Sequence, residues 1–222
     1  MKRFSNQKWK VVLSCLFSLL PLFVGLVLWN KLPDRLPTHF NYLGEPDQYS
    51  SRGFTVFGLG SILFVLNILA LYITGRDPKN VNVSESVMNM VLLLVPFLAL
   101  YLSLLVYGSV LGVKLSVEKW SMLLMGGMFV LIGNYLPKCR QNHTIGIRLP
   151  WTLNDAEVWD RTHRLAGYLY VLTGIAIIVS ALLVKKNGFI VFMVMMMVTT
   201  LFSIIYPYVI YRRRHAGEEK QD

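Results

Sequence analysis

Apolar and polar positions segregate along this chain into six long apolar runs separated by short charged stretches. The runs are approximately Val11–Leu28, Phe54–Thr74, Val87–Tyr107, Trp120–Leu136, Leu165–Val184 and Phe189–Tyr211. A helix rises about 1.5 Å per residue, so roughly 20 apolar residues cross the hydrocarbon of a bilayer. Each run therefore predicts a transmembrane helix, the fourth being the shortest. Aromatic residues stand where spans meet headgroups: Trp9 and Trp29 around the first, Trp120 before the fourth, and Tyr206, Tyr208 and Tyr211 at the end of the sixth. Pro21, Pro96 and Pro207 lie inside runs and predict kinks, since neighbouring helices re-satisfy the carbonyls they free. A buried soluble helix explains one such run but not six in 222 residues. The fold class is all-α, a polytopic membrane protein of six transmembrane helices. Residues 1–214 read as one membrane domain, and 215–222 as a short polar tail.

Composition supports the class and charge orients it. Only 15% of residues are charged, against about a quarter in soluble proteins. Lys2, Arg3, Lys8 and Lys10 precede the first run, as in a signal peptide, but the run is long and no small-residue cleavage site follows it. It reads as a retained span. Fifteen Lys and Arg fall on one side of the six-span topology and seven on the other. The richer side is expected to be cytoplasmic, with both termini there. Arg76, Lys79, Lys138, Arg140, Arg148, Arg161 and Arg164 belong to it; Lys31, Arg35, Arg52, Lys114, Lys119, Lys185 and Lys186 do not. Topology and anionic lipid account for the net charge of +10 without a direct nucleic-acid partner.

The spans carry no Asp, Glu, Lys, Arg or His away from their ends, and their amides are Asn67, Asn89 and Asn134. Ion-coupled transport places ionisable groups near the midplane, so this pattern disfavours it. No zinc-protease, nucleophile-elbow or phosphate-loop motif occurs, and no cofactor is implied. Cys15 lies in the first span and Cys139 beyond the fourth, so a bridge between them is not expected.

Two connections carry more chemistry than tethers need. The extracytoplasmic one, Asn30 to Gly53, reads Leu32-Pro-Asp-Arg-Leu-Pro-Thr-His-Phe-Asn-Tyr-Leu-Gly-Glu-Pro-Asp47. Pro33 and Pro37 stiffen its start, Thr38–Asn41 suits a short extended piece, and Asn41 to Asp47, with Gly44, suits a turn. One reading is a spacer between helices; the sharper one has His39, Phe40 and Asn41 meet an external ligand. The cytoplasmic connection, Pro137 to Arg164, contains Asn142-His-Thr-Ile-Gly-Ile-Arg-Leu-Pro-Trp-Thr-Leu-Asn-Asp-Ala-Glu-Val-Trp-Asp-Arg-Thr-His-Arg-Leu-Ala-Gly167. Gly146 and Pro150 punctuate an extended half that includes Arg148, Trp151 and Thr152. Asn154 reads as a helix N-cap with Asp155 and Glu157 in the first turn. The helix should run through Trp159 and His163 into the fifth span. Val158, Trp159 and Thr162 are expected at the bilayer boundary, and Arg161 and Arg164 at headgroups. Arg148 is expected to clip the loop to helix-end carbonyls, Asp155 or Glu157, or to face a partner with Trp159. His143, Asp160 and His163 have a conceivable but weak metal spacing, and no metal is assigned. Gly167, Gly174 and Ala181 recur every seven residues, which predicts a close-packed face.

The second connection resembles the signature of the bacterial SdpI family in Asn142–Gly146, in Ile147-Arg-Leu-Pro-Trp-Thr-Leu153 and in Trp159. The first is similar to the LP-x-x-x-P-x-HFN-x-x-G-x-x-D segment that accompanies that family. The resemblance implies a membrane immunity protein, acting by binding rather than catalysis. Its partner on the outer face is a secreted sporulation-delaying type of peptide toxin; on the inner face a cytoplasmic transcriptional repressor is implied. The alternatives are a small-molecule transporter or membrane enzyme, or a sensor or scaffold without a toxin partner.

Overall fold

The computed structural model describes residues 8–76, 85–113, 116–184 and 188–216. Lys2, Arg3, Lys79, Lys114, Lys185, Lys186 and the tail from 217 lie outside them. The helices are α1 (Lys8–Ser18), α2 (Leu20–Val27), α3 (Leu59–Arg76), α4 (Glu85–Val110), α5 (Val117–Tyr135), α6 (Pro150–Asn154), α7 (Ala156–Leu183) and α8 (Gly188–His215). Strands β1 (Arg35–Phe40) and β2 (Pro46–Ser51) lie between α2 and α3. Among the described residues six helical segments are long and apolar enough to cross a membrane: Lys8–Val27, Phe54–Arg76, Glu85–Val110, Val117–Lys138, Ala156–Leu183 and Gly188–His215. The expected spans are all present, the fifth and sixth extended by a turn or more at one end.

The prolines act in different ways. Pro96 and Pro207 lie inside unbroken helices, whereas the first span is interrupted at Leu19, just before Pro21. There the Leu19 carbonyl accepts from both Leu22 and Phe23 N–H. The chain forms two compact units, Met1–Arg76 with Met88–Trp120, and Asp77–Val87 with Ser121–Asp222.

In the first unit a polar knot crosses three helices. Asn67 is wholly buried on α3, and its amide donates to Ser14 Oγ of α1 at 3.0 Å. Ser14 Oγ in turn donates to the Leu92 carbonyl of α4 at 2.7 Å. That carbonyl lies four residues before Pro96, which has no N–H to offer it, so a serine from another helix takes the amide's place. Such substitution lets a kinked span stay in an apolar environment.

The expected turn between the first two spans is a β-hairpin. β1 and β2 pair antiparallel from Arg35↔Ser51 to Phe40↔Pro46, with irregular register on both sides of His39. Pro37 cannot donate to a ladder, which accounts for a disturbance beside it. Leu32 and Leu36 bury themselves with Val56, Val106 and Tyr107, which seats the hairpin's base on the helix ends. Arg52 fastens the same place: its guanidinium donates to the Trp29 and Leu32 carbonyls at 2.9 and 3.1 Å. It also pairs with Asp34 at 3.1 Å and lies over the Trp29 ring. Helix ends leave carbonyls without partners, and a fork of N–H groups suits two of them at once.

In the second unit the seven-residue stripe on α7 has a counterpart on α5. A Cβ on Gly174 would lie 2.5 Å from the Gly126 carbonyl and 2.7 Å from Val130 N, and one on Gly167 would meet the Gly133 carbonyl and Pro137. Ala181 ends the stripe against Met122 and Ile177. Backbone-to-backbone approach of this kind is how helices associate where lipid removes the hydrophobic drive. Gly174→Leu should therefore lower the unfolding temperature of detergent-purified protein, by an overpacking cost of about 1–3 kcal/mol or more. Ile175→Leu, at an exposed neighbouring position, should leave it nearly unchanged. Equal unfolding temperatures would remove the stripe as a helix contact.

Candidate functional site

A dense set of polar bonds shapes the connection between α5 and α7. It begins at Cys139, where the chain leaves a short 3₁₀ turn over Leu136–Lys138. Asn142 is wholly buried and uses its whole amide. Its Oδ1 accepts the Thr144 and Ile145 N–H at 2.8 and 2.6 Å, and its Nδ2 donates to the Arg140 and Ile145 carbonyls. One side chain thus shapes the turn from inside, as an Asx residue does. Gly146 follows at φ 115°, a backbone conformation that side chains rarely adopt. A Cβ there would also strike His163 Nε2.

Trp159 and His163 sit one helical turn apart on α7, both buried, with rings stacked at 4.0 Å. Trp159 Nε1 donates to the Cys139 carbonyl at 2.7 Å. His163 Nε2 accepts the Ile147 N–H at 2.9 Å, and its Nδ1 faces the Trp159 carbonyl at 2.9 Å. An amide only donates and a carbonyl only accepts, so the imidazole is neutral with its proton on Nδ1. Both ring nitrogens are engaged, so the conceivable metal set of His143, Asp160 and His163 does not assemble.

Thr152 closes the middle of the loop. Its hydroxyl donates to the Ile147 carbonyl at 2.7 Å and accepts the Leu149 N–H at 2.9 Å. Pro150 opens α6, a short helix where an extended half was expected, because its missing N–H costs nothing in a first turn. Gln141 caps the other end, donating to the Thr152 and Leu153 carbonyls, both at 2.9 Å. The Trp151 ring stands edge-on to Tyr208 of α8 at 5.4 Å. Asn154 is not the N-cap; it is the last residue of α6, and Asp155 caps α7, accepting from Glu157 and Val158 N–H. The insertion of α6 moves the cap by one position.

Three further expectations are corrected. Val158, Trp159 and Thr162 are wholly buried within the protein rather than at a lipid boundary, which also removes Trp159 as a surface anchor. Arg148 does not reach Asp155 or Glu157; its Nη1 donates to the His143 carbonyl at 2.7 Å, so it clips the loop to itself. The two acids are taken by Arg214 at the end of α8, through Nε to Asp155 at 2.9 Å and Nη1 to Glu157. Glu157 also pairs with Arg161, while Arg164 is exposed. Arg214 and Gln141 were not anticipated. Arg214 belongs to the run Arg212-Arg213-Arg214, which in sequence is only positive charge after the sixth span, and nothing in sequence ties it to an acid nearly sixty positions earlier.

On the hairpin, Asn41 Oδ1 accepts the Leu43 and Glu45 N–H at 2.9 and 3.0 Å. Gly44 has φ 77°. His39 and Asp47 face each other across the strands at 2.6 Å. Pro37 is buried, Phe40 partly so, and Pro33 and His39 are exposed.

Burial pushes the Cys139 thiol up to about 11, so it is an unreactive packing residue. Burial raises the Asp155 carboxyl too, but the Val158 N–H, the Arg214 guanidinium and the Glu157 N–H outweigh it and hold it below its ordinary value. The cap's contribution is thus complete above the ordinary carboxylate range and lost as pH falls through the lowered value. In acid-unfolding measurements Asp155→Asn, which still caps, should remove this residue's share of the acid limb. An unchanged limb would mean that the pairing contributes nothing. His163→Phe keeps the stack but orphans the part-buried Ile147 N–H, and should cost about 1 kcal/mol in chemical denaturation. No measurable loss would exclude the imidazole as the loop's lock.

Residues 138–207 match the SdpI/YfhL protein family, and residues 16–71 match a domain of unknown function, DUF1648. The first match holds the whole loop, α7 and most of α8; the second holds the hairpin, α2 and most of α3. The Immunity protein SdpI of Bacillus subtilis (strain 168) is 25% identical over 206 residues, which is 92% of this chain and 97% of that protein. No solved structure matches. The chain is thus a multi-pass bacterial membrane protein whose residues 138–207 carry the SdpI/YfhL family match and which is similar over nearly its whole length to an SdpI immunity protein.

Proposed function

We propose that this chain is an immunity protein that protects the bacterium carrying it from a secreted, membrane-active peptide toxin, by binding rather than by chemistry. The observation that carries the reading is the alignment with an immunity protein across 92% of the chain, spanning the hairpin and the loop together. The side-chain chemistry is in keeping with it. The groups of the loop are spent on one another, as in a scaffold, and His163 has no nitrogen left for proton transfer. In the proposed orientation the hairpin faces outward, and the loop and both termini face the cytoplasm, following the lysine and arginine asymmetry.

A signalling role on the inner face is a second reading. It draws on the loop's exposed side chains, Arg148, Asn154, Asp160 and Arg164, which offer polar contacts to a cytoplasmic repressor.

Expression in a toxin-sensitive bacterium should raise survival under the toxin, and absence of any protection would overturn the reading. Within that assay, Trp159→Ala should lower membrane abundance and survival together, because truncating a buried tryptophan costs about 3–5 kcal/mol. Arg148→Ala, at an exposed site, should leave abundance nearly normal. If it also leaves survival normal while repressor recruitment is lost, the inner face is a docking surface. Orientation is checked by cysteine labelling, in a background lacking Cys15 and Cys139. A cysteine replacing Tyr42 should react with an impermeant reagent from outside, and one replacing exposed Asn154 only after permeabilisation. The reverse pattern would invert the topology.

A further inference from the structure

We propose that the turn joining β1 and β2 is the docking surface for a cationic, apolar peptide; the proposal rests on the immunity reading and names the chemistry of its partner. Tyr42 and Leu43 are 61% and 55% exposed there. Their exposure does not come from a loose loop. Asn41 binds the turn from within, accepting the Leu43 and Glu45 N–H, and its own N–H donates to the Glu45 carbonyl at 2.8 Å. Gly44 then rests on the first turn of α5, where a Cβ would come within 2.7 Å of Glu118 N. The turn is therefore held at both faces, with two apolar side chains presented outward. A surface ordered in advance loses little further entropy on binding.

Charge selects the occupant. Glu45 and Asp47 flank these side chains, and Glu118 lies beside Gly44. None of the three carboxylates forms an ion pair with Lys or Arg among the described residues. Asp47 meets His39 alone, and exposed Lys119 offsets one negative charge. The hairpin's own cations lie at its other end: Lys31 and Arg35 are exposed near the base, and Arg52 is bonded to helix-end carbonyls and Asp34. Among the described residues the turn thus combines apolar surface with net negative charge, while the base is positive. An anionic bilayer surface is repelled by the turn, whereas a peptide that alternates basic and apolar side chains meets both features. Among the described residues the sheet has two strands, so its outer edges can also accept an extended segment as an added strand.

The test uses the full-length protein in phosphatidylcholine nanodiscs, with a synthetic alternating leucine–lysine peptide as probe and empty nanodiscs as reference. The protein should bind the probe more tightly than empty nanodiscs do. Glu45→Lys should weaken that binding about tenfold, and Leu43→Ser should weaken it as well. A leucine–serine peptide should not compete. Both variants keep the turn's backbone bonds, so their unfolding temperatures should match the unaltered protein; Glu45→Gln, which loses charge alone, should fall between the unaltered protein and Glu45→Lys. Equal binding by the unaltered protein and Glu45→Lys, or equal binding to empty nanodiscs, would overturn the proposal. Survival separates it from the reading beneath it. If the chain protects cells and both variants protect equally well, the turn is not the docking surface and immunity stands. If the unaltered chain gives no protection, the immunity reading falls whatever the peptide does.

Discussion

Irregular backbone at the end of a helical membrane domain has to find a partner for every amide and carbonyl it buries, and the Trp159–His163 pair is where this chain meets that demand. The two rings rise from consecutive turns of α7 and reach back across the connection, one donating to Cys139, the other accepting from Ile147. The segment between those anchors is then shaped by Asn142 and Gly146, and Thr152 bonds back to the Ile147 carbonyl from just beyond it. If the stack were lost, the buried Cys139 carbonyl and the part-buried Ile147 N–H would both be orphaned, so the two ends of this turn depend on it.

The same economy recurs elsewhere. Ser14 supplies the Leu92 carbonyl with the hydrogen bond that Pro96 withholds. Tyr107 donates its hydroxyl to the Pro21 carbonyl at 3.0 Å. Arg52 serves two carbonyls where the first span ends. Ser14 and Arg52 each place a polar side chain where a proline or a helix end has freed a backbone oxygen, and Tyr107 adds a bond to a carbonyl in the first turn of α2. The result is two internally bonded connections on helices whose outer faces are otherwise apolar. It agrees with similarity to an immunity protein and with spans that lack midplane charge.

The six spans were legible because hydrocarbon imposes a length and a polarity on any helix that crosses it, and a linear pattern carries both. The motif loops were legible too, since Gly146, Pro150 and Asn142 have local preferences that act within a few residues. Boundaries were less so. The cap of α7 reads naturally as Asn154, and only the folding of Pro150–Asn154 into a helical turn moves it to Asp155. The hairpin was half visible, as an extended piece and a turn, but its second strand has no apolar alternation to announce it.

Tertiary structure decided what depends on partners far along the chain. Trp159 at the start of a spanning helix has the amphipathic character of a bilayer-boundary residue, and its burial follows from the loop that folds over it. The Gly167–Gly174–Ala181 stripe showed one half of a contact, while Gly126 and Gly133 completed it from α5. Arg214 reaches Asp155 and Glu157 only because α7 and α8 pack side by side. Hydrophobic length and turn preference are properties of neighbouring residues, so the sequence by itself determined the helices and marked the two loops. Ion pairs, stacking and close backbone approach are properties of distance in space, and only the packed chain determines those.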